Sequence, residues 1–471
     1  MHHANSSRIQ HALPIALFAG LAIMLLDVTR AESQQIYDEL RFTPRAPRIE
    51  RHESGRSTLA APAPPTFQDA TINAGYIGRV GVFGDSTRMA DFSNGFFLPS
   101  AIPAAGQDYF HSGWRAGMQG DGSAIRISSS VPLNQNFRVA GHAQLLVNNL
   151  GFNTAGAQSG GNFAIRQAFG QINKLSVGVM ETALADPSAT PETLDVAGPN
   201  ARITVNPAGL GSGQGRLSYD FFNDPADGGF TYTVSLEQPQ PGVIDPSLPT
   251  VATYSNYPDL VSAAQYVSGY KRGNIFVEKW HFQWSNVCRS IGIESNDAVH
   301  HSAANGWGTV LSGAYYFDPR GSFTTSDRVM FSIAGGQGIS HYITDLNNTT
   351  DANDAARDAG GTLKPLPVIA WYAAYTHNWC DRLRSTATYS RVDLDNILPF
   401  GSPGTARSPY RSGQYTAVNL VYHRPFSGII AGEEKRCQLF TGLEYLYGHK
   451  ETLDGSSGDA HRIMWVTTIT N

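Results

Sequence analysis

The sequence predicts an all-β protein, a transmembrane antiparallel β-barrel of about 16 strands with a long inward-folding loop after strand 5. Three observations carry this prediction. Charged residues make up only 15% of the chain, whereas Gly numbers 48 and aromatic residues reach 11%. Apolar and polar side chains alternate along many short segments. The connections between these segments alternate between short and long, as in outer-membrane barrels.

The composition also excludes several other classes of protein. Three Cys in 471 residues cannot form a disulfide framework. The net charge of −5 and the lack of a basic block leave no electrostatic basis for nucleic-acid binding. The many aromatic residues argue against a disordered chain. No cofactor is implied by any motif.

The N-terminal segment reads as a targeting signal rather than as part of the fold. Residues 1–31 contain an apolar run from Ala12 to Leu26, which has the length of a signal peptide and is short for a membrane span. A retained N-terminal anchor is the alternative. Residues 32–70 are rich in Pro and Arg and are predicted to form an extended periplasmic segment. The barrel is therefore expected to occupy residues 71–471.

Strand periodicity dominates the rest of the chain. In residues 229–237, Phe230, Tyr232, Val234 and Leu236 alternate with polar side chains, so each face of the strand carries one kind of residue. Sixteen such segments can be counted, including one expected over 110–131, and the loop 184–213 follows the fifth. A soluble β-sandwich or propeller is the alternative, but no repeat of about 40–50 residues is present.

Several blocks in the first half resemble a known family. They are Asn73-Ala74-Gly75-Tyr76-Ile77, Phe97-Leu98-Pro99-Ser100-Ala101-Ile102-Pro103, Ile165-Arg166-Gln167-Ala168-Phe169-Gly170-Gln171, and Pro191-Glu192-Thr193-Leu194-Asp195. In this order and spacing they resemble the DcaP-like trimeric outer-membrane porins, over about residues 70–240. The resemblance implies a sixteen-stranded homotrimer in the outer membrane that passes small, often anionic, nutrients. It also implies that the loop 184–213 folds into the barrel and narrows it.

The alternation assigns basic residues to the face of the strands opposite the apolar one. The predicted pore-lining cations are Arg126, Arg138, Arg166, Arg216, Lys279, Arg328 and Arg384. The predicted constriction loop contains Pro191, Glu192, Thr193, Leu194, Asp195 and Arg202. An excess of cations in a narrow pore favours anions, so the sequence predicts a porin for passive diffusion of small hydrophilic solutes, with a preference for small anions such as carboxylates. Glu278 falls on the row expected to face outer-membrane lipid.

An enzymatic alternative rests on one short motif. Gly84-Asp85-Ser86 resembles the first block of GDSL-type esterases, with Ser86 as nucleophile, and Asp297 and His300 have the spacing of the remaining triad. That fold alternates strands with helices, and helical periodicity is nearly absent here. The chain is therefore predicted not to be an enzyme. A structural barrel with a plugged pore is a further alternative. His and Cys residues do not show metal-ligand spacing, so no metal site is predicted.

Overall fold

A closed antiparallel barrel forms the body of the protein. The structure is a computed structural model that describes residues 71–90, 95–132, 138–148, 152–153, 162–205, 213–222, 228–244, 252–272, 275–294, 301–317, 326–347, 354–358, 362–397, 409–430 and 433–471. The predicted signal peptide, residues 1–31, and the whole of the Pro/Arg-rich segment, residues 32–70, lie outside this description.

Sixteen strands make up the barrel wall, as the sequence predicts. In chain order they are β1 (Thr71–Asp85), β2 (Ser123–Pro132), β3 (Arg138–Asn148), β4 (Asn162–Ile172), β5 (Leu175–Met180), β6 (Gln214–Phe222), β7 (Gly229–Glu237), β8 (Asp259–Arg272), β9 (Ile275–Glu294), β10 (His301–Tyr316), β11 (Arg328–Gln337), β12 (Pro367–Cys380), β13 (Leu383–Leu394), β14 (Tyr410–Ile430), β15 (Glu433–Thr452) and β16 (Ser457–Thr470).

The barrel closes because β1 pairs with both of its neighbours. Its first half lies antiparallel to β2, with Gly75 opposite Arg126, and its second half lies antiparallel to β16, with Val82 opposite Trp465. Every other wall strand pairs with the strand before and after it in the chain. No open sheet edge remains between β1 and β16, which is the condition for strands to cross a membrane.

Shorter strands extend the wall at its rim. Arg115–Gln119 pairs with the end of β1, Phe152–Asn153 pairs with Arg115–Gln119, and Ala252–Tyr254 pairs with β9. The single strand expected over 110–131 is therefore wrong: the chain turns at residues 120–122 and forms two strands that contact different parts of β1. A separate small sheet joins Val243–Ile244, Ala355–Arg357 and Leu363–Pro365.

The two faces of the wall differ in the way that the alternation predicts. Along β12 the burial pattern alternates, so that Val368, Ala370 and Tyr372 are buried while Ile369 is 59% exposed. The same contrast holds in β11, where Met330 is buried and Ile333 is 52% exposed. A water-soluble protein rarely exposes so many large apolar side chains, whereas a lipid-facing barrel surface requires them.

Three loop regions lie on the inner face and pack against it. Residues 183–205 and 339–347 form one buried apolar cluster with wall residues, whereas residues 89–90 and 96–102, with Leu194 and Ala197, form a second cluster with β14, β15 and β16. Each region contains one short 3-10 turn: Pro99–Ala101, Pro187–Ala189 and Ser340–Tyr342. Among the described residues, no helix is long and apolar enough to cross a membrane.

Candidate functional site

The candidate site is built around the connection between β5 and β6, which the structure describes at residues 181–205 and 213. The loop leaves β5 at Met180 and is held at once by the wall, because Ala183 donates its backbone N–H to the Glu237 carboxylate at 2.8 Å. Asp186 then accepts the backbone N–H of Ser188 at 3.1 Å and so begins the turn Pro187–Ala189. Such capping fixes the direction in which the loop continues.

The first half of the loop is anchored on β9 and β10. The second carboxylate oxygen of Asp186 lies 3.0 Å from Nε2 of His281 and accepts a hydrogen bond from Ser312 at 2.9 Å. Nδ1 of His281 lies 2.5 Å from Glu278. Glu278 is therefore buried against the loop, and the expectation that it faces lipid is wrong. A β-bulge between Trp280 and Glu278 opposite Ser268 and Gly269 shifts the register, so the alternation cannot be extrapolated through it.

The second half of the loop contacts the opposite part of the wall. Tyr372 of β12 donates to the carbonyl of Ala189 at 3.4 Å, and Asn419 of β14 donates to the carbonyl of Glu192 at 2.8 Å. The carboxylate of Glu192 forms a two-point ion pair with Arg384 of β13. Further along, the backbone N–H of Leu194 hydrogen-bonds to Glu444 of β15, and Arg79 of β1 donates to the Leu194 carbonyl. The loop thus joins wall strands that are far apart around the barrel.

A cavity of about 370 Å³ lies between the loop and the wall. Five arginines line it, and three carboxylates do so among the described residues. The arginines are Arg79, Arg166, Arg202, Arg328 and Arg384, and the carboxylates are Glu181, Glu192 and Asp195. Thr376, Thr468 and Thr470 of the wall add small polar groups. The cavity therefore carries an excess of fixed positive charge in a chain whose net charge is negative.

All six residues predicted for the constriction loop line this cavity, together with three of the seven predicted pore-lining cations. Arg166, Arg328 and Arg384 reach it from the wall and Arg202 reaches it from the loop, close enough to Arg166 for their charges to interact. Pro191, Glu192, Thr193, Leu194 and Asp195 all line it.

The other predicted cations lie elsewhere. Arg126 is on the inner row of β2, opposite the buried Gln144. Arg216 donates to the carbonyl of Glu181 at 2.8 Å and lies 3.8 Å from Glu237. Lys279 is the extra residue of the bulge in β9 and is exposed. The side chain of Arg138 lies outside the described part of the chain.

The sequence reasoning missed one cation of the cavity, Arg79. Its neighbour Val80 is 51% exposed and Val82 is 39% exposed, so Arg79 belongs to the opposite, inner row of β1. The alternation of Val80 and Val82 with Arg79 was the available signal. Its guanidinium also supports the loop, because it donates to the Leu194 carbonyl.

Burial changes the acidity of one carboxyl group of the loop. Asp195 is 1% exposed, and its burial raises the pKa of the carboxyl to about 6, against the opposing effects of Arg462, the backbone N–H of Phe97 and Arg79. One of its oxygens accepts the backbone N–H of Phe97 at 3.4 Å. The charge of Asp195, and with it the balance of charge at the cavity, is therefore expected to change within a moderately acidic pH range.

The Gly84-Asp85-Ser86 motif, on which the esterase alternative rests, lies at the rim of the barrel. The hydroxyl oxygen of Ser86 accepts a hydrogen bond from the backbone N–H of His461 at 2.8 Å, and Asp297 and His300 lie outside the described residues. The esterase arrangement therefore stays a hypothesis to which this contact adds nothing. Within the part of the chain that is described, no group of three or more His, Cys, Asp or Glu side chains could hold a metal ion.

A closed sixteen-stranded barrel with an apolar outer face and a charged inner cavity has the architecture of the porin class. The outer membrane channel DcaP of Acinetobacter baumannii is similar to this chain, with a TM-score of 0.62 and 17% sequence identity over 86% of this chain and 99% of that one. The resemblance found in the sequence is thereby confirmed at the level of the fold.

Two further solved structures are similar at lower TM-scores. OmpT, an outer membrane protein of Vibrio cholerae, has a TM-score of 0.45 and 11% identity over 86% of this chain and 98% of that one. OprB of Pseudomonas putida also has a TM-score of 0.45, with 9% identity over 85% of this chain and 94% of that one. No family model matches the chain, and the comparison with curated proteins gives no match.

Proposed function

We propose that the protein is a bacterial outer-membrane porin, a water-filled channel for the passive diffusion of small hydrophilic solutes. The observation that carries this proposal is the combination of a closed barrel with an apolar outer face and an arginine-lined cavity behind a loop. The outer face supports a location in lipid, because residues such as Ile333 and Ile369 are more than half exposed there. The closed wall supports a membrane-spanning role because it leaves its backbone groups paired.

The loop is proposed to be the constriction of the channel. Its contacts support this position: they run from Glu237 in β7 through His281 in β9 and Arg384 in β13 to Arg79 in β1. A segment that touches strands so far apart around a closed barrel has to pass through the barrel interior. Solutes would then cross between the loop and the wall, at the cavity described above.

The channel is proposed to prefer small anions such as carboxylates. Five arginines against three carboxylates line the cavity, so its local field attracts anions. Arg166 and Arg202 both line the cavity, and the guanidinium group of each presents N–H donors in one plane, which suits a carboxylate. The preference concerns the rate of entry and does not require tight binding.

The protein is further proposed to work as a homotrimer. Strand β5 has only 6 residues, with Leu175 and Val177 exposed on its outer row. A strand of six residues is about 20 Å long. With the usual tilt of barrel strands it covers about 15 Å of the lipid-facing apolar band, which is about 25 Å tall. The wall near β5 therefore leaves part of the band uncovered, and an identical neighbour would cover it without exposing backbone to lipid. Chemical cross-linking in membranes, followed by mass determination, tests the trimer.

Single-channel recording tests the proposed function. The purified protein in planar bilayers should give stepwise conductance, and a salt gradient should give a reversal potential of the sign expected for anions. The double variant Arg166→Ala/Arg202→Ala should lower the anion preference. Lys279→Ala, which removes an exposed cation outside the cavity, is the matched control and should leave it unchanged. Absence of conductance steps would contradict the porin, and a cation-selective reversal potential would contradict the anion preference.

A further inference from the structure

The loop that carries Arg202 is held in place by a second loop. Residues 339–347, here called the bracing loop, follow β11. The backbone N–H of Thr344 donates to the carbonyl of Arg202 at 3.0 Å, and the Thr344 hydroxyl donates to the same oxygen at 2.9 Å. Thr204 donates its backbone N–H to the carbonyl of Tyr342 at 2.9 Å, and Ile203 forms an antiparallel bridge with Ile343. The position of Arg202 therefore depends on where the bracing loop lies.

The bracing loop is in turn attached to the wall through one buried cation. Arg289 projects from β9 and is fully buried. Its Nη1 donates to the carbonyl of Gly338 at 3.1 Å and lies 3.1 Å from a carboxylate oxygen of Asp354, and its Nε lies 3.2 Å from Asp259. Its guanidinium group also lies 5.3 Å from the ring centre of Tyr342.

Both carboxylates that pair with Arg289 also bind the bracing loop directly. Asp354 accepts the backbone N–H of His341 at 2.9 Å, through the same oxygen that faces Arg289. Asp259 accepts the hydroxyl of Tyr342 at 2.8 Å. Three ionisable side chains, from β9, from β8 and from farther along the connection between β11 and β12, thus converge on residues 338–342.

A contribution to overall stability does not by itself explain this arrangement. Removing a cation and two carboxylates from water has a large free-energy cost, and apolar side chains of similar size often stabilise a fold as well or better. What charged groups add is a fixed geometry, because each hydrogen bond defines a direction. Here the defined geometry belongs to the bracing loop, which holds the carbonyl of Arg202.

We propose that Arg289 is a positioning residue for the channel constriction: together with Asp259 and Asp354 it holds the bracing loop, and through that loop it sets the place of Arg202 in the cavity. This inference rests on the proposed function, since its consequence is anion preference. Arg289 itself lies outside the set of residues that line the cavity.

The test compares ion selectivity among variants that keep the net charge. Arg289→Met/Asp354→Asn removes one charge of each sign and leaves an oxygen at residue 354 for the backbone N–H of His341. The ratio of anion to cation permeability should fall by up to about fourfold, because one unit charge about 10 Å from the path of an ion in water changes the permeability of the anion and that of the cation by about twofold each, in opposite directions. In an Arg202→Ala background the same double substitution should have no further effect, because its target is already absent.

A matched control lies farther along the same stretch of chain. Lys364 and Asp358 form an exposed ion pair at 2.9 Å, and Lys364→Met/Asp358→Asn also removes one charge of each sign. This control should leave the permeability ratio unchanged. Where the Arg289 variant does not assemble into a barrel, Tyr342→Phe replaces it. That substitution removes only the hydrogen bond to Asp259, and it should lower the ratio in the same direction by a smaller amount.

The outcomes separate this inference from the proposed function. Suppose that the wild-type channel prefers anions and that Arg202→Ala reduces the preference. The role of Arg289 alone would then be overturned by an unchanged permeability ratio in Arg289→Met/Asp354→Asn. It would also be overturned if the reductions caused by this double substitution and by Arg202→Ala were additive in the combined variant. A wild-type channel without anion preference would overturn both proposals.

Discussion

The carboxylate of Glu192 and the guanidinium group of Arg384 form a two-point ion pair between the constriction loop and strand β13. Nη2 of Arg384 lies 2.5 Å from one oxygen of Glu192, and its Nε donates to the other. Two parallel hydrogen bonds of this kind fix both the distance and the orientation of the partners. The pair therefore neutralises one of the five cavity arginines and at the same time attaches the loop to the wall.

Substitutions at this pair should shift ion selectivity in opposite directions. Arg384→Ala removes a cation, so the anion-to-cation permeability ratio should fall about fourfold, because one unit charge about 10 Å away in water changes the permeability of the anion and that of the cation by about twofold each, in opposite directions. Glu192→Gln should raise the ratio by a similar factor. The double variant should lie near the wild type. Reversal potentials under a salt gradient measure all three, and shifts in the same direction in the two single variants would contradict the assignment.

Acidification should increase the preference for anions through Asp195. Because burial raises the pKa of this carboxyl to about 6, Asp195 carries a negative charge above that pH and loses it below. The cavity becomes more positive on protonation, so the permeability ratio should rise as the pH is lowered from about 8 to about 4.5, a range that spans the transition. Asp195→Asn should start at the higher ratio and respond less to pH. An equal pH response in both proteins would rule out Asp195 as the source.

The stability of the barrel should depend on one buried ion pair between β1 and β16, the strands whose pairing closes the wall. Arg462 of β16 contacts Asp85 of β1 at 2.6 and 2.8 Å, and its guanidinium carbon lies 4.1 Å from the ring centre of Phe83. Arg462→Met leaves Asp85 buried without its cation, so the free energy of unfolding should fall by about 3–5 kcal/mol. Arg462→Met/Asp85→Asn should lose much less. Urea unfolding in lipid vesicles gives both values, and similar losses in the single and double variants would contradict the argument.

The assignment of the two faces can be tested by placing one charge on each. Ile333 lies on the exposed row of β11, and Ile333→Lys should lower the free energy of unfolding in lipid by about 2–4 kcal/mol near the middle of the membrane. Thr468 lines the cavity, and Thr468→Lys is the matched control with a much smaller loss. The control should also raise anion preference. A reversed order of stability would mean that the faces are assigned the wrong way round.

The barrel could be predicted from the sequence alone because the pattern that indicates a strand is local along the chain. Side chains on a strand repeat every two residues, so the rows containing Ile165 and Arg166, or Val329 and Arg328, can be separated from the sequence alone. The same rule failed at Glu278, where an extra residue in β9 reverses the rows. It also missed the turn at residues 120–122, since nothing in the alternation separates one long strand from two shorter ones.

The alternation of side chains along the chain predicts the fold class, the number of strands and the side of the wall on which the arginines of β4, β11 and β13 lie. Which charges contact each other follows from the folded structure. Glu192 and Arg384 are 192 residues apart, and Asp186 and His281 are 95 residues apart. The closing of the barrel and the path of the loop across its strands bring these groups together. Such long-range contacts produce no periodic pattern in the amino-acid sequence.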